Sequence, residues 1–285
     1  MYGAEYSRTD VTIESKLAPP VVVVLVVDKP GECFDQVLDG LADQDYENTQ
    51  VLVINRGPAS TIDRVLATIP DAIVKEVPNA KTYAEAANAV SGLVKGAAFY
   101  LFLHDDTVLA PNAVTLLVEE AMESNAGVLG PKVVNFNDPS RILSMGFMVD
   151  AFAVATPVVE PGELDQEQHD RVREVFAVSG HAVLIRSDLF ATIGGFDQRI
   201  SDFEEHLDLC WRAQIAGGRI LVVPTATARS LDRVSARDQP LSRRHSMRYR
   251  QHIVAKCYGW VHLVPILILA MLLSLLEVAY SLLAL

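Results

Sequence analysis

The chain has 285 residues, half of them hydrophobic, with 24 Lys and Arg against 36 Asp and Glu, a formal net charge of -12. That length can bury one large core or two smaller ones, so it permits an enzyme domain plus an appendage, and the acidic balance argues against a nucleic-acid binder, whose partner rewards clustered Lys and Arg. The three cysteines, Cys33, Cys210 and Cys257, are widely spaced and form no CxxC pair, so they predict neither a disulfide framework nor a zinc site but small buried apolar residues, as in a reducing compartment.

Met1 to Pro20 is polar, has no apolar core of the kind a signal peptide needs, and reads as a mobile leader. Val21 to Val27, VVVVLVV, is an unbroken β-branched run, the pattern of a central parallel strand, and Asp28-Lys29-Pro30-Gly31 breaks it. A helix is expected from about Cys33 to Asp43, with Phe34, Val37, Leu38 and Leu41 on one face. Gln50 to Ile54 predicts a second strand, with Asn55-Arg56-Gly57-Pro58 as the turn at its end. Residues 61 to 69 predict a short helix, Ala72 to Val77 a third strand, and Thr82 to Gly92 an alanine-rich helix entered after Asn79. Strands alternating with helices at this spacing predict a doubly wound, mainly parallel α/β sheet.

Residues 97 to 103 predict the next strand, and Phe99-Tyr100-Leu101-Phe102-Leu103 within it reads as buried on both faces. His104-Asp105-Asp106-Thr107 follows at the strand's carboxyl end. In an open α/β sheet ligands collect there, and adjacent carboxylates suit Mg2+ or Mn2+ bridging the phosphates of a nucleotide. The alternative is that Asp105 and Asp106 cap a following helix begun by Thr107 and Pro111-Asn112.

Ala113 to Ser124 then predicts a helix and Gly127 to Val134 a strand. The acidic segment Glu160 to Glu174 reads as a loop or solvated helix. Glu174 to Arg186 predicts a strand interrupted at Ser179-Gly180, and Asp188 is expected to cap a short helix ending at Gly194-Gly195. Glu204 to Ala216 predicts a helix with Leu207, Cys210, Trp211 and Ile215 inward, and Ile220 to Val223 with Pro224 a final strand.

Val261 to Leu285 carries Glu277 as its only formally charged residue, a run long enough to cross a hydrocarbon core of about 30 Å, either as a single anchor or as the first of several spans. Arg243, Arg244, His245, Arg248, Arg250 and Lys256 precede it, and by the positive-inside rule they place residues 1 to 260 on the cytoplasmic side of the cell membrane. Glu277 would be costly against lipid and is expected to face another helix or an interface. The expected organisation is therefore a leader over 1–20, a domain over 21–240, a basic juxtamembrane segment over 241–260 and a transmembrane helix over 261–285.

Several separated segments, over roughly residues 20 to 255, together resemble the family-2 inverting glycosyltransferases of GT-A fold. They are the opening strand; Leu41-Ala42-Asp43-Gln44-Asp45-Tyr46; Val178 to Arg186 followed by Ile193-Gly194-Gly195-Phe196-Asp197; and Glu205-His206-Leu207-Asp208-Leu209-Cys210-Trp211-Arg212 with Ala216-Gly217-Gly218. The resemblance implies a nucleotide-diphosphate sugar donor, a divalent metal (Mg2+ or Mn2+) at a D-x-D element, and a carboxylate that deprotonates the acceptor hydroxyl. A metal stabilises charge building on the leaving diphosphate, and a positioned base takes the proton of the attacking alcohol.

Carried over residue by residue, the resemblance implies Asp106 as the metal ligand, with His104 where the first Asp of the D-x-D element would stand. It implies Asp28, Asn55, Arg56, Asn79 and Asp105 around the nucleotide, Asn55 replacing an Asp that reads the base. The loop NAKTYAEAAN over Asn79 to Asn88 lacks the family's glycine. The base position falls on His206, or on Glu205 if the register shifts by one, with Glu204 before it; Asp208 caps or positions the same helix. Histidine can itself serve as a base near neutrality. Without a role, His206 would be a partly exposed helix-start residue. Ser179, Gly180 and His181 are expected at the acceptor site, where glycine permits close backbone approach, or as a strand bulge. Arg229, Arg248 and Arg250 fall where the family carries basic groups near the diphosphate or the membrane, or on a solvated helix face.

These features predict a membrane-anchored glycosyltransferase acting on a lipid-linked or cell-envelope glycan acceptor. The departures at Asn55, His104 and His206 motivate a second expectation, a catalytically degenerate family member serving as a binding or scaffold module for membrane partners. A nucleotidyltransferase of related topology is disfavoured by the Gly-Gly-Phe-Asp and DLCWR segments.

Overall fold

The computed structural model describes residues 18–150, 154–200, 205–231 and 252–259, together with residues 261, 264, 265, 268, 271 and 272. Its elements in chain order are β1 (Val21–Val27), α1 (Phe34–Ala42), β2 (Thr49–Asn55), α2 (Ser60–Thr68), β3 (Ile73–Glu76), α3 (Tyr83–Ala87), α4 (Val90–Leu93), β4 (Phe99–His104) and β5 (Thr107–Leu109). There follow α5 (Ala113–Ser124), β6 (Val128–Asn135), β7 (Arg141–Ser144), β8 (Phe147–Val149), β9 (Ala155–Pro157), β10 (Glu163–Leu164), β11 (Arg173–Glu174), β12 (Ala182–Arg186), α6 (Ser187–Thr192), α7 (Glu205–Ile215) and β13 (Ile220–Ser230).

The sheet runs β10-β7-β6-β12-β4-β1-β2-β3. β1 pairs in parallel with β2 and β4, and β2 with β3. β12 is antiparallel to both β4 and β6, and β13 returns parallel to β6. The result is a mixed, mainly parallel α/β sheet. Side chains alternate faces along a strand, so the VVVVLVV run feeds two cores. Val22, Val24 and Val26 pack on one face with α3, α6 and α7, while Val21, Val23, Leu25 and Val27 pack on the other with α1 and α5. A polar residue within β1 would be buried whichever face it took.

The strand register aligns the carboxyl ends of the parallel strands. Val26 stands beside both Ile54 and His104, and Asn55 beside Glu76. The turns after β1, β2, β3 and β4 therefore share one edge, where the candidate site residues of these turns gather.

Several expectations are corrected. The alanine-rich helix is two short ones, α3 and α4. Around Asn88 and Ala89 tighter i to i−3 hydrogen bonds appear, and the Asn88 side chain bonds both the N–H and the carbonyl of Phe196, each at 2.8 Å. Asp105 and Asp106 cap no helix: Thr107 opens β5, and the next helix begins at Ala113 behind Asn112. The strand expected over Glu174 to Arg186 is interrupted around Ser179-Gly180 as expected, but the break is wider, leaving β11, a loop and β12. The last strand does not stop at Pro224, because β13 absorbs the proline at a register shift between Val223 and Thr227. Asp188 lies in the first turn of α6, whose N-cap is Arg186. Ile215 is 63 % exposed, since the buried surface of α7 is concentrated toward its start. Residues 160–174 are irregular apart from β10 and β11, and they are held to β6 through Lys132, which pairs with Asp165 at 2.6 Å and Asp170 at 3.2 Å. Cys33 and Cys210 are buried, Cys257 is half-buried, and none of the three is in a disulfide.

Residues 252–257 are helical and return to the α7 face of the sheet: Ile253 is fully buried, and Trp211 and Tyr258 meet edge to face at 5.2 Å. Lys256, expected in the basic cluster, instead pairs with Asp197 at 2.7 Å and with Asp208. The rest of that cluster, the leader up to residue 17, and most of residues 261–285 lie outside the described residues. Among the described residues no helix is long and apolar enough to cross a membrane.

Candidate functional site

β4 delivers His104 and the two aspartates to the shared edge. One Asp105 oxygen accepts the backbone N–H groups of Asp28 at 3.0 Å and Lys29 at 3.1 Å, so this carboxylate ties the end of β4 to the turn after β1. Carboxylates accepting backbone N–H bonds in a buried setting hold geometry firmly. Asp106 is 1 % exposed; its backbone carbonyl accepts from Ser230 Oγ at 3.3 Å, which roots it against β13.

The neighbouring turns are cross-braced. The Asn55 side chain closes its own turn, donating to the Pro58 carbonyl at 3.2 Å and accepting from the Gly57 N–H at 3.0 Å. Arg56 donates from Nε to the Ala80 carbonyl at 3.1 Å, bridging the turns after β2 and β3, and lies 3.9 Å from the Asp28 carboxylate. Gly57 passes so close to the Asp28 carbonyl that a Cβ there would collide with it. Asp28 is half-exposed, and Asn79 is exposed on the turn after β3. All five expected nucleotide-site residues thus occupy one edge, although Asn55 is engaged in its own turn.

Opposite stands the start of α7, where Glu205 is 2 % and His206 6 % exposed. The His206 imidazole lies between Gly180 and Phe147. A Cβ on Gly180 would stand 2.8 Å from its Nδ1, and the Phe147 ring centre is 5.9 Å away. His206 is therefore buried at the helix start rather than partly exposed there. Ser179 Oγ and His181 Nδ1 are 2.6 Å apart, and the His181 carbonyl accepts from the His104 N–H at 3.2 Å. The His104 and His181 rings are 6.5 Å apart, centre to centre. Ser179, Gly180 and His181 thus connect the Asp105–Asp106 end of β4 to the Glu205–His206 end of α7.

Asp208 is fully buried and acts through ion pairs, with Arg212 Nη2 at 2.7 Å and with Lys256. Arg212 also donates to the Ile193 carbonyl at 2.7 Å. Asp197 is the other anchor for Lys256 and for His252, the latter at 3.2 Å. Burial pushes the Asp197 carboxyl up, but Lys256, the Arg199 N–H and His252 outweigh it and hold it well below the usual carboxylate range. Arg229 lies on β13, exposed, its guanidinium 5.6 Å from the centre of the Phe136 ring.

Among the described residues no group of three His, Cys, Asp or Glu side chains is arranged to hold a metal ion. Mg2+ taken up with phosphates needs only one or two protein carboxylates, and the buried Asp106 at the strand end fits that narrower role.

Sequence reading missed Tyr83. Its ring stacks on His104 with centres 4.2 Å apart and 5° between planes, and meets Phe196 edge-on at 5.9 Å. The signal lay in an aromatic residue opening an otherwise small-residue helix directly after Thr82. The Thr82 hydroxyl accepts from the Glu85 N–H at 3.1 Å, while Glu85 accepts from the Lys81 N–H at 2.8 Å, a reciprocal cap.

Comparison with known proteins matches residues 6–251 to the family model described as glycosyltransferase like family 2. No curated protein matches the chain in sequence. Among solved structures the chain is similar to GalNAc-T7 crystallised with UDP, GalNAc and Mn2+, with a TM-score of 0.61 and 13% identity over 74% of this chain and 43% of that one. It is also similar to residues 1–349 of S. aureus TarS, with a TM-score of 0.61 and 16% identity over 87% of this chain and 69% of that one. Against the longer S. aureus TarS structure the TM-score is again 0.61, with 15% identity, and the chain spans 42% of its length. At these identities the likeness is one of fold.

Proposed function

Since the chain belongs to the glycosyltransferase-like family 2, we propose that it transfers a sugar from a nucleotide-diphosphate sugar to a lipid-linked or cell-envelope glycan acceptor at the cytoplasmic face of the membrane, inverting the anomeric centre. The observation that carries this reading is the opposition of two groups across one sheet edge: Asp105 and Asp106 at the end of β4, and Glu205 and His206 at the start of α7, joined by Ser179-Gly180-His181.

In this reading the turns bearing Asp28, Asn55, Arg56 and Asn79 hold the nucleotide, and Asp105 keeps the backbone N–H groups of Asp28 and Lys29 in place for it. Asp106 is the protein ligand for Mg2+ or Mn2+, and such an ion, when bound, supplies the positive charge that stabilises the departing diphosphate. The acceptor lies along Ser179-Gly180-His181. Its hydroxyl gives its proton to Glu205 or His206 as its oxygen bonds to the anomeric carbon, and the bond from that carbon to the diphosphate oxygen breaks. Asp208 positions α7 through Arg212 and Lys256. Residues 261–285 are the anchor that keeps the domain beside a membrane-borne acceptor.

One observation favours a second reading, the degenerate scaffold: both polar atoms of the Asn55 side chain are engaged in its own turn rather than open to a base. The two separate in a transfer assay. Full-length protein with envelope membranes and radiolabelled UDP-, GDP- and dTDP-linked hexoses should place label in a lipid or glycan product from one donor. No transfer from any donor, by protein that still binds membrane partners, would favour the scaffold.

A further inference from the structure

Among the described residues the buried Tyr83 hydroxyl has no hydrogen-bond partner, although the residue as a whole keeps some exposure. A buried donor left unmade is costly, so a partner that arrives from outside the chain is favoured. The ring cannot turn freely to find another partner, because His104 stacks on its face and Phe196 meets it edge-on. Burial, then the nearby Glu205 and Asp105 carboxylates, push the phenol's pKa well up, so it keeps its proton and serves as a donor.

An incoming group that accepts from this phenol also meets the negative charge of the Asp105 and Glu205 carboxylates, which act on the phenol from the two halves of the site. A phosphate oxygen can accept, but it would face negative charge from Asp105 and Glu205. An alcohol can accept from the phenol and donate to a carboxylate at once. Resting on the proposal that this edge binds a nucleotide sugar, we infer that Tyr83 is a specificity-determining residue whose hydroxyl donates to one hydroxyl of the donor's sugar, which in turn donates to Asp105 or Glu205. His104, at the D-x-D position, holds the phenol in place through the ring stack.

The test is titration calorimetry on the full chain, comparing wild type and Tyr83→Phe with UDP, GDP and dTDP and with UDP-glucose, GDP-mannose and dTDP-glucose. Phenylalanine keeps the stack and removes only the hydroxyl. The free diphosphate should bind both proteins within about twofold, while the sugar nucleotide should bind the variant about five- to tenfold more weakly, the size of one hydrogen bond. A deoxy analogue lacking the hydroxyl that is read should bind the two proteins equally. Equal binding of the intact sugar nucleotide, as when a water alone satisfies Tyr83, would overturn the inference, as would equal weakening of diphosphate and sugar nucleotide. A wild type that binds none of the six would overturn the transferase reading and this inference with it.

Discussion

Gly180 and His206 are in such close approach that no side chain fits between them: a Cβ on Gly180 would stand 2.8 Å from the imidazole Nδ1. The loop before β12 and the first turn of α7 are thereby locked together at the proposed base. Gly180→Ala should displace His206, lower transfer by about tenfold or more and cost about 1 to 3 kcal/mol of stability, the range for overpacking. The stability loss should shrink in a His206→Ala background, a coupling that denaturant unfolding of the four proteins measures directly. An undiminished loss would mean that Gly180 matters for its own backbone alone.

Lys256→Met should leave the buried Asp208 to its pair with Arg212 and Asp197 to its pair with His252. Removing one partner of a buried ion pair costs about 3 to 5 kcal/mol, and Lys256 is partly exposed, so a loss near or below the low end is expected. Thermal unfolding would read it as a clear fall in Tm. An unchanged Tm would mean that residues 252–258 are not integral to the domain.

Asp197 sets an acid limit. Its folded-state carboxyl lies below the unfolded value of about 3.9, so its ionised form contributes stability that is present above that value and lost as pH falls toward the folded one. Wild type should exceed Asp197→Asn in urea midpoint at pH 6, with the gap closing below about pH 4. A gap that persists unchanged at pH 3 would contradict the ion-pair account.

Asn88→Ala removes both bonds to the Phe196 backbone and the contact that fills the space beside Gly195. Two orphaned backbone groups predict a loss of about 2 to 3 kcal/mol, visible in chemical denaturation. A loss of a few tenths would show that water replaces the amide.

The central sheet was legible because its strands carry their own signature. VVVVLVV and FYLFL are buried on both faces, so each residue had to be apolar, and α1 showed its inner face as Phe34, Val37, Leu38 and Leu41. The candidate site was legible as a set of carboxylates and turns at strand ends, but not in its wiring. That Asp105 staples the turn after β1, that Asn55 closes its own turn, and that Lys256 serves Asp197 and Asp208 all depend on how side chains settle in the folded chain, two of the three on partners far away in sequence. Local pattern also failed where tertiary contacts override it: Pro224 sits at a bulge inside β13, Ile215 faces outward, and Tyr83 stacks on His104 instead of lying on a plain alanine-rich helix.

The most direct measurement is calorimetric titration of the full chain with UDP, GDP and dTDP, each with and without Mn2+, repeated on Asp106→Asn. One of these nucleotides should bind, Mn2+ should tighten it, and the substitution should remove the Mn2+ effect. No binding to a protein shown to be folded, or binding indifferent to both Mn2+ and Asp106, would contradict a metal-assisted donor site at the end of β4.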